Sequence, residues 1–176
     1  MSTIRHRRRT LVALMIPQLA VVLNLAIVNV ALPAIRETFN APADLMAWVV
    51  TVYSLPYVAM MPLYGRLGDD LGVRRMILAG MAVFLAGTAM NALSQSLPLL
   101  LLGRFIQGLG ASGMSPLAIT MITRLFSVER RGHALGRWNS IGPIAAVTGS
   151  LLGGVIIDAL GWRVTFLVPI LAGGAA

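Results

Sequence analysis

Six long apolar runs, at residues 11–31, 47–64, 76–93, 97–126, 135–157 and 164–176, succeed one another along the chain with short polar joints between them. The pattern predicts membrane-crossing α-helices, because a span needs about 20 apolar residues to traverse roughly 30 Å of hydrocarbon. The first five runs, of 18 to 30 residues, are long enough. The sixth has 13 residues, and at about 1.5 Å of rise per residue it stops roughly two-thirds of the way across. The expectation is an all-α integral membrane chain, with a basic segment at 1–10 followed by a bundle over 11–176 whose sixth helix is incomplete. The first run is also too long for the apolar core of a cleaved signal peptide, about 7 to 15 residues, and four more spans follow it.

Charge orients these spans. All 14 basic residues other than the two histidines are arginines. With the N-terminus in the cytoplasm, Arg5, Arg7, Arg8, Arg9, Arg66, Arg74, Arg75, Arg124, Arg130, Arg131 and Arg137 fall on one side and only Arg36 and Arg163 on the other. That asymmetry follows the positive-inside rule and orients the chain with a cytoplasmic N-terminus; the expected location is the cell (inner) membrane. Composition then excludes other classes. At 57% hydrophobic and 11% charged residues the chain is neither a soluble globule nor a disordered one. No cysteine is present for disulfides or thiolate metal sites. The arginines cluster between apolar runs instead of lining one face with stacking aromatics, which excludes nucleic acid as a partner. Prolines within or at the ends of spans, Pro17, Pro56, Pro62, Pro116 and Pro143, suit packed membrane helices whose neighbours satisfy the freed carbonyl.

Candidate chemistry is sparse. His6 and His133 lie in cytoplasmic segments and no acid–base, nucleophile or metal-ligand set can be assembled, so no enzyme activity, metal or cofactor is expected. Arg104 is the informative residue: it stands about seven positions into an apolar run, where a guanidinium costs at least about 2.5 kcal/mol near the bilayer centre. All six acidic residues lie in loops or at span ends. Its partner is then backbone, a side-chain oxygen such as that of Gln107, an anion, or an acid beyond this chain; the alternative is an interfacial arginine that snorkels to headgroups. Gln107, Gly108, Ala111 and Ser115 continue its helical stripe and make it small, polar and inward-facing. The stretch GRLGDDLGVRR, from Gly65 to Arg75, reads as a tight cytoplasmic turn in which Gly65, Gly68 and Gly72 take unusual backbone angles and Asp69 caps a helix or pairs with arginine. Gly149 and Gly153 form a small-xxx-small surface for close helix approach, and Pro143 supplies a kink.

At Gly65, Leu67, Asp69, Gly72, Arg74 and Arg75 the chain resembles the major facilitator superfamily, with Asp70 where that family usually has arginine. Three further stretches resemble its 14-span drug:proton antiporter branch. LNLAIVNVALPAI (23–35) is similar to the first-span motif, with Asn24 in place of the usual aspartate. LLLGRFIQGLGAS (100–112) is similar to the fourth-span motif at Arg104, Gln107, Gly108 and Gly110. Gly149, Leu152, Gly153 and Gly154 resemble the fifth-span antiporter motif, with Ser150 for the usual proline, and GWRVTF (161–166) resembles the joint that follows.

The resemblance implies the N-terminal six-helix bundle of a secondary transporter, lacking its C-terminal half, that exports hydrophobic or cationic small molecules against protons across the bilayer. It implies Arg104 and Gln107 in proton coupling; Gly65, Asp69, Gly72, Arg74 and Arg75 in a cytoplasmic gate; Asn24 and Asn29 facing the cavity; and Gly108, Pro143, Gly149, Gly153 and Gly154 in helix packing and occlusion. Asparagine cannot exchange a proton, so a facilitator or uptake carrier is the rival within transport. A membrane fragment without transport activity is the rival outside it.

Overall fold

The computed structural model describes the backbone of residues 2–174 and the side chains of residues 10–171. The arginine side chains of the basic segment at 1–10 and those of 172–176 in the sixth run lie outside the described residues. The chain folds into helices α1 (Ser2–Phe39), α2 (Ala43–Leu71), α3 (Val73–Ala92), α4 (Leu97–Ala111), α5 (Met114–Leu125), α6 (Val128–Asn139), α7 (Ile141–Leu160), α8 (Trp162–Thr165) and α9 (Leu167–Gly174), with no strand among the described residues. Five stretches are long and apolar enough to cross a membrane: Thr10–Phe39, Ala43–Leu71, Val73–Ala92, Leu97–Leu125 and Val128–Leu160. A shorter apolar helical stretch, Trp162–Leu171, follows them. The protein is an all-α membrane bundle.

The joints are shorter than the apolar runs predict, because the helices continue past the apolar stretches, at 65–71 even through glycines and aspartates of low helix propensity. The expected turn at 65–75 is an example. α2 runs on through Gly65 and Gly68 to Leu71, and only Gly72, with φ +95°, separates it from α3. Gly68 is a packing residue, since a Cβ there would strike the Leu117 side chain on α5. Gly161 (φ +84°) makes the corresponding corner between α7 and α8, and Asn40 (φ +46°), a residue that tolerates the left-handed region, turns the chain out of α1.

Three long helical paths are interrupted, and each break lies just ahead of a proline. The α4–α5, α6–α7 and α8–α9 joints at Gly113, Ser140 and Phe166 precede Pro116, Pro143 and Pro169 by three positions. A proline has no N–H to give to the carbonyl four residues back, so the helix loses its bond there and reopens with the proline in its first turn. Pro143 therefore acts at the start of α7, exposed on its surface, and not as a packed mid-helix kink.

Packing places α3 against α4, α2 against α4, and α1 against α7. Glycines make the first of these contacts close. Gly80 and Gly87 on α3 meet Gly110 and Gly103 on α4; a Cβ at Gly80 would come within 2.8 Å of the Gly110 carbonyl oxygen, and one at Gly87 within 2.6 Å of the Gln107 nitrogen. Aliphatic and aromatic side chains fill the rest: Leu14, Phe84, Met114, Leu117, Ile122 and Trp138 form one buried cluster. Val28, Ile35, Val49, Leu100, Trp162 and Phe166 form another. Leu55, Val58, Val147, Leu151 and Val155 are exposed, which suits an apolar solvent on the outside of the bundle.

Candidate functional site

Arg104 is the largest fully buried side chain among the described residues, with 0% of its surface exposed. Full burial rules out the snorkelling alternative. Residues of α1, α2 and its own α4 hold it. From α2, the Val49 carbonyl accepts from Nε at 3.1 Å. From α1, Asn24 Oδ1 accepts from Nη1 at 2.9 Å. Its own helix supplies Gln107 Oε1, which accepts from Nη1 at 2.8 Å. The guanidinium carbon also lies 4.3 Å from the centre of the Tyr53 ring on α2, a cation–π contact.

Gln107 extends the network into α3. Its Oε1 also accepts from Asn91 Nδ2 at 2.8 Å, and its Nε2 donates to Thr88 Oγ1 at 2.7 Å. Thr88 in turn donates to the Phe84 carbonyl of its own helix at 2.7 Å. Both atoms of the Gln107 amide are thus used, which fixes its orientation. Such a chain of hydrogen bonds in a low-dielectric interior polarises its members and holds them in one geometry. Every partner of Arg104 is neutral. Its Nη2 has no hydrogen-bond partner among the described residues, and Asn91 Oδ1 is likewise unpaired. The arrangement is a buried cation held by dipoles with one donor in reserve, able to engage an anion or a carboxylate brought to it.

Of the residues expected to face a cavity, Asn24 is only 1% exposed and turns inward to Arg104, whereas Asn29, five positions on, is exposed. Gly108 permits the crossing of α4 over α2, since a Cβ there would strike the Tyr53 backbone. Ser115 leaves the stripe half-buried and donates to Gln18 Oε1 on α1 at 3.2 Å.

The expected gate residues gather at one end. Asp69, at the end of α2, accepts from Arg124 Nη2 on α5 at 2.7 Å, the one ion pair among the described residues. The two side chains are 65% and 58% exposed, so water screens the pair and it contributes up to about 1 kcal/mol. It is weak enough to open and close. Arg74 and Arg75, expected as Asp69's partners, are exposed at the start of α3 and make no ion pair. They line, with Gly72 and Arg124, a cleft of about 490 Å³ beside the pair. Gly65 has open space where its side chain would be.

The expected packing glycines divide. A Cβ at Gly149 would come within 2.9 Å of Ala26 and one at Gly153 within 3.3 Å of Ile27, so both seat α7 on α1. At Gly154 an added Cβ would meet nothing within 4 Å, so no close contact requires a glycine there. At the opposite end of the bundle, Arg163 donates from Nε and Nη2 to the Ser94 carbonyl at 3.1 and 3.0 Å. Beside it Trp162 Nε1 donates to Thr38 Oγ1 at 2.9 Å, tying α8 to α1.

Sequence reasoning missed Asn91, Thr88, Tyr53 and the pairing role of Arg124. A signal existed for two of them: Thr88 and Asn91 are polar, three positions apart in an apolar run, and so on one helical face. It missed the α3–α4 glycines as a set, although 80 and 87 on one helix and 103 and 110 on the next repeat at the same spacing.

Residues 14–176 match the family model of the Major Facilitator Superfamily. An uncharacterized MFS-type transporter of Mycobacterium tuberculosis is 33% identical over 98% of this chain and 30% of its own length. The drug efflux pump JefA of the same species is 34% identical over 94% of this chain and 33% of its own. Multidrug resistance protein 3 of Bacillus subtilis is 36% identical over 72% and 25% respectively. The chain thus spans a third or less of the length of these relatives. With an all-helical membrane bundle that buries an arginine on a polar network, and a family match over nearly all of its length, the chain belongs to the major facilitator superfamily.

Proposed function

We propose that this chain is the N-terminal bundle of a secondary transporter that exports hydrophobic or cationic small molecules in exchange for protons. The site lies between this bundle and a second, C-terminal one, and rocking of the two alternates its access. In this reading the chain lies in the inner membrane, and the arginine asymmetry supports a cytoplasmic N-terminus. The observation that carries the reading is Arg104, buried on neutral partners with Nη2 free. A cation kept there at a cost of several kcal/mol is a functional residue by default. Relatives described as a drug efflux pump and a multidrug resistance protein support export.

In this mechanism Arg104 and Gln107 couple protons by stabilising the ionised form of a carboxylate that approaches Nη2, so that proton release accompanies one state and uptake the other. Asp69 with Arg124, Arg74 and Arg75, hinged at Gly72 near Gly65, gates the cytoplasmic end. Asn24 orients Arg104, Asn29 faces the cavity, and Gly108, Gly149 and Gly153 let the helices close on the occluded state, with Gly154 and Pro143 outside the tight contacts.

The test uses the complete protein in everted membrane vesicles. Arg104→Ala abolishes efflux driven by a proton gradient while the protein still inserts, and Arg104→Lys, which keeps the charge but not the fork of donors, retains part of it. Unchanged efflux in Arg104→Ala overturns the reading. A facilitator or uptake carrier is the second reading, favoured by Asn24 and Ser150, which stand where the antiporter pattern has aspartate and proline. Flux that ignores a collapsed proton gradient selects it.

A further inference from the structure

A second cluster of arginines lies away from the gate. α6 carries Arg130, His133 and Arg137 at i, i+3 and i+7, hence along one face. With Leu11, Phe126, Glu129 and Ala134 they line a cavity of about 350 Å³. Leu11 and Ala134 are buried, whereas Arg130, His133 and Arg137 are exposed. Neither arginine has an ion pair among the described residues. Glu129, the one acid of the lining, bonds the Ser127 side chain at the start of its own helix.

The height of this cavity is set by the apolar runs. Leu11 begins the first, Phe126 ends the fourth, and the fifth starts at Leu135, beside Ala134. The cavity therefore opens at a boundary between hydrocarbon and water, with an apolar wall on one side and guanidinium groups on the other. Nine further arginines, including Arg7, Arg8 and Arg9 close ahead of Leu11 in sequence, fall on the same side of the membrane by the sidedness of the joints. A free anion has no use for the apolar wall. A hydrocarbon chain has none for the guanidinium groups.

We propose that this cavity binds an anionic phospholipid of the cytoplasmic leaflet, with its phosphodiester on Arg130 and Arg137 and its acyl chain along Leu11 and Phe126. The leaflet rests on the orientation proposed above; the binding site itself does not depend on transport. A phosphodiester is the chemistry recognised, and a free phosphate ion shares it.

The experiment uses the complete protein, purified in detergent and incubated with phosphatidylglycerol or phosphatidylcholine, with retained lipid counted by native mass spectrometry. Phosphatidylglycerol is retained over phosphatidylcholine in the wild type. Arg130→Gln with Arg137→Gln lowers that retention about tenfold or more, each arginine near the surface accounting for several-fold. Arg130→Lys with Arg137→Lys keeps most of it, and Arg66→Gln, an arginine of the same side outside the cavity, leaves it unchanged. Equal retention of the two lipids overturns the proposal, as does undiminished retention in the folded double glutamine variant. Displacement by millimolar inorganic phosphate with no preference between the lipids makes this a simple anion site and also overturns it. No substrate flux enters the readout, so failure of the efflux reading is separable from failure here.

Discussion

Gly87→Ala is the substitution whose effect follows most directly from the packing. A Cβ at Gly87 would lie 2.6 Å from the Gln107 nitrogen, 2.7 Å from the Gly103 carbonyl oxygen and 2.9 Å from Gln107 Cγ. Two of these three atoms are backbone of α4 and cannot rotate aside. Ordinary contact begins at 3.4 Å, so α3 and α4 must separate by about 0.8 Å where they cross, on the difference between those distances. Overpacking of this kind costs about 1–3 kcal/mol, partly offset by the roughly 1 kcal/mol that alanine gains over glycine in a helix. The separation also lands on the buried network, because Gln107 bonds Thr88 and Asn91 across that interface. The complete protein carrying Gly87→Ala is expected to melt at a lower temperature in detergent and to lose most of its efflux. Gly154→Ala is the matched control: its methyl meets nothing within 4 Å, and it melts at the wild-type temperature or slightly above. Identical melting of the two variants would refute the close α3–α4 contact and the reasoning built on it.

Asn24→Asp sets a carboxylate where Oδ1 now lies 2.9 Å from Arg104 Nη1; efflux should become more dependent on the proton gradient, read as flux against imposed pH difference, and an unchanged dependence would count against Arg104 coupling protons through a carboxylate beside it. Asp69→Asn removes the charge that meets Arg124 at 2.7 Å; stability changes by less than about 1 kcal/mol because the pair is exposed, while cysteine labelling at the two ends shifts between inward and outward states, and unshifted labelling would remove the gate. Arg163→Gln loses the bonds to the Ser94 carbonyl, and hydrogen exchange of the 93–96 joint should quicken about tenfold, as expected for a charged hydrogen bond; exchange at the wild-type rate would leave the joint held by something else.

Much of the architecture is legible in one dimension. The lengths of the apolar runs, the sidedness of the arginines and the isolation of Arg104 from any acid are properties of neighbours along the chain, because bilayer thickness and the cost of a buried charge act on local composition. The motif glycines at 149 and 153 were legible for the same reason, since positions four apart share a helical face. Helix ends were less so. The turn at 65–75 shrank to Gly72, because α2 continues through Gly65, Gly68, Asp69 and Asp70 against their low propensity, and Pro143 moved from kink to first turn, because the helix is interrupted three residues ahead of it.

What surrounds Arg104 was decided only by tertiary structure. Val49 and Asn24 stand 55 and 80 positions away in the chain, and nothing local distinguishes Asn24, turned to the guanidinium, from Asn29, turned out. The same holds for Asp69, which pairs with Arg124 at a separation of 55 and not with the arginines five and six positions on. It holds for Gly154, which carries a motif position but has open space where a side chain would be. Sequence placed a charge within an apolar run and fixed where along its helix it stands, with burial and snorkelling both open; the structure buries it. Which dipoles receive it depends on how α2 and α3 pack on α4, set by Gly108 against Tyr53 and by Gly80 and Gly87 against Gly110 and Gly103, and on Asn24 being brought to the guanidinium from α1.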